Sequence, residues 1–67
     1  MKYRDLARQL TAAGFSGRPG KGDHEVWSHP VGVTVVIVRD TDCSPGVCRE
    51  ALAGIQQARA REQEATR

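Results

Sequence analysis

Two histidines stand in the stretch KGDHEVWSHP, residues 21–30. Histidine titrates near neutrality, so His24 has the chemistry to take up and return a proton at cellular pH. Its neighbours suit a substrate that carries phosphate. Lys21 and Arg18 supply cations just upstream, and Arg39 supplies another beyond the next apolar run. Gly22 lacks a Cβ and lets a substrate backbone approach closely. Asp23 sets a carboxylate beside His24, where it would repel phosphate and modulate the imidazole. A lone histidine at a strand start is also an ordinary surface residue, and that plainer reading stands beside the catalytic one.

A metal site is the other chemistry these residues suggest. His24 and His29 are spaced H-x4-H, and Cys43 and Cys48 are spaced C-x4-C. Spacings of this kind occur in two-Cys, two-His zinc sites. On a regular strand, however, residues five apart point to opposite faces. Cys48 also falls on an apolar helical stripe, where a small buried thiol is the ordinary occupant. No metal or other cofactor is expected. Neither cysteine has neighbours that would obviously activate it as a nucleophile. GRPGKG lacks the phosphate-loop pattern. Trp27 would serve a small core as readily as it would stack on a base.

The elements that must position these residues follow from periodicity. Tyr3, Leu6, Ala7, Leu10 and Ala13 recur at helical spacing and predict a helix over about residues 2–13. Gly14 is placed to end it in a left-handed turn, with Phe15 folding back on Leu10. SGRPGKG, residues 16–22, reads as a loop with a short edge strand near residues 15–18. Along residues 23–29 the alternation puts His24, Val26 and Ser28 on one face and Glu25, Trp27 and His29 on the other. PVG, residues 30–32, is turn chemistry. VTVVIV, residues 33–38, predicts a central strand, or one with a partner on its second face. Ser44 and Pro45 read as the cap and first residue of a second helix. Cys48, Ala51, Leu52 and Ile55 form its apolar stripe. Past Ala58 nothing remains to bury, so residues 59–67 are expected to fray.

The order predicts an α+β domain: α-β-β-β-α, a three-stranded antiparallel sheet with both helices on one face. The 67 residues allow one domain, set here at residues 1–58 with a polar tail after it. Only three residues are aromatic, which disfavours a deep pocket for a large cofactor. The net charge of +2 tolerates a polyanion without requiring one. No run approaches the ~20 apolar residues of a membrane span. MKYRDLARQL carries charges where a signal peptide would be apolar, so a cytoplasmic protein with reduced thiols is expected.

Three segments together resemble the HicA-type toxins. MKYRDLARQLTAAGF is similar to their opening helix and the AGF that follows it. KGDHEVWSHP resembles their central motif of glycine, small hydroxyl residue and histidine, then a strand and often His-Pro; Asp23 stands where the hydroxyl residue is usual. SPGVCREALAGI resembles their last helix. The likeness spans about residues 1–57. It implies a double-stranded RNA-binding-like fold and a metal-independent, ribosome-independent endoribonuclease that cleaves mRNA. It implies that His24 is the catalytic histidine, and that a HicB-type antitoxin covers the site. Two other classes fit the same residues: a non-catalytic RNA-binding module, and an interaction protein without RNA chemistry.

Overall fold

A computed structural model of the chain describes residues 1–39 and 42–65. In chain order the elements are α1 (Tyr3–Ala12), β1 (Ser16–Pro19), β2 (His24–Ser28), β3 (Thr34–Val38) and α2 (Pro45–Ala65). The strands make one antiparallel sheet in the order β1-β2-β3. The α-β-β-β-α architecture is therefore as the sequence predicts. Both helices cover the face that carries Trp27, Val35 and Ile37.

Helix α1 buries Leu6 and Leu10 completely. It ends as its sequence requires. Gly14 takes φ +100°, and its N–H donates to the Thr11 carbonyl at 3.1 Å. The Phe15 N–H donates to the Leu10 carbonyl at 2.9 Å. This bond pair is the Schellman closure, and it swings Phe15 into the core beside Leu10.

The β2 alternation sends Trp27 inward and leaves His24 exposed. Gly17 lies opposite Trp27, and a Cβ there would sit 2.9 Å from the indole ring. The glycine that weakens β1 as a strand therefore makes room for the largest core residue. Pro19 ends β1 on the outer edge of the sheet, where its missing N–H costs no ladder bond. The placement of β3 corrects an expectation. It is an edge strand, and β2 is central. Burial alternates along β3, and Val36 remains 48% exposed on the open face. A β-branched run fits an edge whose inner side is buried as well as it fits a central strand.

Helix α2 starts as predicted. The Val47 N–H donates to the Ser44 hydroxyl at 3.3 Å, and Pro45 is the first helical residue. The buried stripe, however, is Ala51, Gly54, Ile55 and Ala58, while Leu52 is 38% exposed. The helix approaches β3 through its smallest residues: a Cβ on Gly54 would lie 2.4 Å from Val35 Cγ2. That close approach rotates Leu52 out towards the cleft it shares with Gln9 and Ile55. The helix continues past Ala58 to Ala65, and residues 66–67 of the expected tail lie outside the described residues. Two residues of this extension reach the β2–β3 turn. Arg61 Nη1 donates to the Val31 carbonyl at 3.4 Å, and Glu62 Oε1 meets His29 Nε2 at 2.9 Å.

Long-range polar contacts tie the strands to the chain start. The Tyr3 hydroxyl donates to the Glu25 carboxylate, which lies on the inward parity of β2. Arg39 Nε stands 3.6 Å from the other oxygen of Glu25. Burial, then the hydrogen bond to Glu25 and its charge, push the Tyr3 phenol up from 10.0 to about 12. Farther on, Lys2 and Asp42 form an antiparallel bridge, and the Cys43 N–H donates to the Met1 carbonyl at 2.9 Å.

Two outcomes follow. Gly54→Ala lowers the melting temperature, because overpacking of about 1–3 kcal/mol outweighs the roughly 1 kcal/mol that alanine adds to a helix. Val35→Ala then costs less in that background than in the parent, a coupling read by a double-mutant cycle. For Tyr3, a raised folded-state pKa gives stability that is complete below pH 10 and is lost as pH rises towards about 12. Melting curves from pH 9 to 12 should fall more steeply for the parent than for Tyr3→Phe; parallel slopes would refute the contact.

Candidate functional site

The four-residue connection between β1 and β2, residues 20–23, builds the site. Gly22 adopts φ +64° within a turn closed by the His24 N–H, which donates to the Lys21 carbonyl at 3.2 Å. The Gly20 N–H donates to the His24 carbonyl at 2.8 Å. The Arg39 N–H donates to the Asp23 carbonyl at 2.8 Å. Backbone bonds thus hold Asp23 and His24 from Gly20, just past β1, and from Arg39, just past β3. A Cβ on Gly22 would meet nothing within 4 Å, so the space over this turn is open.

The side chain of His24 is exposed on the face the helices leave uncovered. Its Nδ1 lies 3.1 Å from the Lys21 carbonyl oxygen. A carbonyl can only accept, so this contact places the proton on Nδ1. In the neutral imidazole Nε2 then carries the lone pair. Arg18 pairs with Val26, two residues along β2 from His24, and shares its face. Arg18 and His24 are therefore diagonal neighbours across the β1–β2 ladder. Lys21 and Asp23 are exposed in the turn itself. These residues surround a shallow open surface.

Arg39 is placed differently from the other cations. Its backbone supports Asp23, but its guanidinium turns to Glu25 on the opposite side of the sheet. Periodicity places Tyr3 on the helix stripe and Glu25 on the Trp27 face, but does not signal that the two meet. The available signal was Glu25 itself, an acid on the buried parity of a strand, which requires a donor from the helix layer.

His29 is separated from His24 by the thickness of the sheet. It is buried, 6% exposed, with its ring edge-on to Phe15 at 5.0 Å between centroids. The Val31 N–H donates to its Nδ1 at 3.1 Å. The proton therefore sits on Nε2, which faces the Ala13 carbonyl at 3.1 Å and Glu62 at 2.9 Å. His29 is a structural link among the end of α1, the β2–β3 turn and α2. Among the described residues, no group of three or more His, Cys, Asp or Glu is placed to hold a metal ion. No helix among them is long and apolar enough to cross a membrane.

No curated protein matches the chain. One family profile does, that of the HicA toxin of bacterial toxin–antitoxin systems, over residues 3–59. The match runs from the first residue of α1 through most of α2 and takes in every site residue named above. The chain belongs to the HicA toxin family.

Proposed function

We propose that this chain is the toxin of a type II toxin–antitoxin pair, acts in the cytoplasm, and cleaves mRNA without the ribosome or a metal ion. A HicB-type antitoxin is its inhibitor. The observation that carries this reading is the placement of His24: Nδ1 against the Lys21 carbonyl, and the side chain exposed on the strand face that Arg18 shares.

RNA brings its own nucleophile, the 2′-hydroxyl. Nε2 of His24 accepts the 2′-hydroxyl proton as the oxygen attacks the adjacent phosphorus. Negative charge gathers on the non-bridging oxygens, and Lys21 is in place to balance it. Arg18 holds a neighbouring phosphate and sets the register of the strand on the sheet. The 5′-oxygen departs and takes a proton from water or from the newly protonated histidine. With the Arg39 guanidinium on the far side, phosphate contacts fall to Lys21 and Arg18, and Arg39 acts through Asp23 and Glu25. Asp23 is the odd member of the site. Its carboxylate stands beside the position a phosphate must take and weakens binding by repulsion.

His24→Ala leaves the fold intact, since the side chain is exposed, and lowers RNA cleavage by about 10²–10⁴-fold. Cleavage by the parent persists in a chelator. Equal rates for parent and variant would remove His24 from the chemistry and favour a non-catalytic RNA-binding module. Asp23→Ser speeds cleavage, with the gain greatest at low salt, where the repulsion is least screened; slower cleavage would place the carboxylate in the reaction itself.

A further inference from the structure

The two cysteines take no part in the chemistry above, and the fold sets them side by side. Ser44 caps α2, so Cys43 precedes the cap and Cys48 is the fourth helical residue. These are the two positions whose side chains meet in a hydrophobic staple. The Cys48 thiol reaches the Cys43 backbone, donating to its carbonyl oxygen at 3.7 Å. Cys43 is part of the buried core, and the half-buried Cys48 packs against the same core. No disulfide joins them. Their backbones are held as well. The Cys43 N–H is bonded to the Met1 carbonyl, and the Cys48 N–H donates to the Ser44 carbonyl at 3.0 Å. A cavity of about 190 Å³ lined by Val38, Asp42, Cys43, Ser44 and Val47 opens beside the pair.

We infer that Cys43 and Cys48 form a dithiol site that low-molecular-weight disulfides oxidise reversibly to an intramolecular bond. Cys48 is the more exposed thiol and reacts first. Its thiolate attacks one sulfur of the oxidant, forming a mixed disulfide and releasing one small thiol. The Cys43 thiolate then attacks the Cys48 sulfur and releases the second. Two cysteine thiols lose two hydrogens, and one small disulfide becomes two thiols. The bond ties the first turn of α2 to the segment that pairs with Met1 and Lys2. Its neighbour Val38 is the cross-strand partner of His24, so the modification lies one strand away from the RNA site.

A C-x4-C spacing closes readily even in a flexible chain, so the test must isolate what the fold adds. The full chain is equilibrated with oxidised and reduced glutathione, in buffer and in denaturing urea, then acid-quenched and weighed intact. The expected product in buffer is one species lighter by two hydrogens and free of glutathione. The effective concentration of the thiol pair should be higher in buffer than in urea, on the order of tenfold, because short flexible tethers reach only the millimolar range. Cys43→Ser and Cys48→Ser should each retain a glutathione adduct. A stable adduct on the parent, a disulfide-linked dimer, or an effective concentration no higher in buffer than in urea would overturn the assignment.

Discussion

The side-chain alternation of β2 is the constraint on which everything else rests. This strand is central, and its inward residues Glu25, Trp27 and the following His29 meet the helices. Its outward residues begin with His24. A slip of one residue would exchange the two sets, burying the His24 imidazole and exposing the tryptophan. Several contacts oppose that slip. Trp27 fits only over Gly17, Glu25 is claimed by Tyr3 and Arg39, and His29 is held at both ring nitrogens. The register of one short strand thereby decides which histidine is exposed on the open face and which is buried under the helices.

A core this small is assembled by letting backbones come close. Gly54 admits Val35, Gly17 admits Trp27, and Gly14 leaves room for His29, whose Nε2 would stand 2.9 Å from a Cβ there. Where larger domains add hydrophobic bulk, this chain uses polar links. His29 joins three parts of the fold, and Tyr3 reaches across to Glu25. One compromise is visible: Trp27 Nε1 is buried and has no hydrogen-bond partner among the described residues. The indole body contributes enough apolar contact to offset an unsatisfied N–H, whose burial costs about 1–3 kcal/mol.

Much of this was legible in the sequence, because local rules carried it. The Leu10–Gly14–Phe15 closure, the Ser44–Pro45 start and the β2 parity all rest on residues a few positions apart. What was not legible depends on partners distant in the chain. The run at residues 33–38 signals burial, but whether its strand lies at the centre or the edge depends on where β1 docks. Leu52 has the size of a core residue, yet the approach of α2 through Gly54 turns it outward. The Tyr3–Glu25 contact joins residues 22 positions apart and has no local signature. At the site, the grouping of Arg18, Lys21, Gly22, Asp23 and His24 follows from one short hairpin connection. The divergence of Arg39 follows from strand alternation, which sets it on the side of Ile37 and Glu25, and its ion pair holds it there.

The reading of His24 as a base makes a claim about the bond that breaks. If its Nε2 activates the 2′-hydroxyl of RNA, the new ends carry that history. The direct measurement is end-group analysis of the first cleavage products of a defined RNA, by mass spectrometry. The account predicts a 2′,3′-cyclic phosphate on the upstream fragment and a 5′-hydroxyl on the downstream one. A 3′-hydroxyl paired with a 5′-phosphate would show that water attacked instead, and would contradict it.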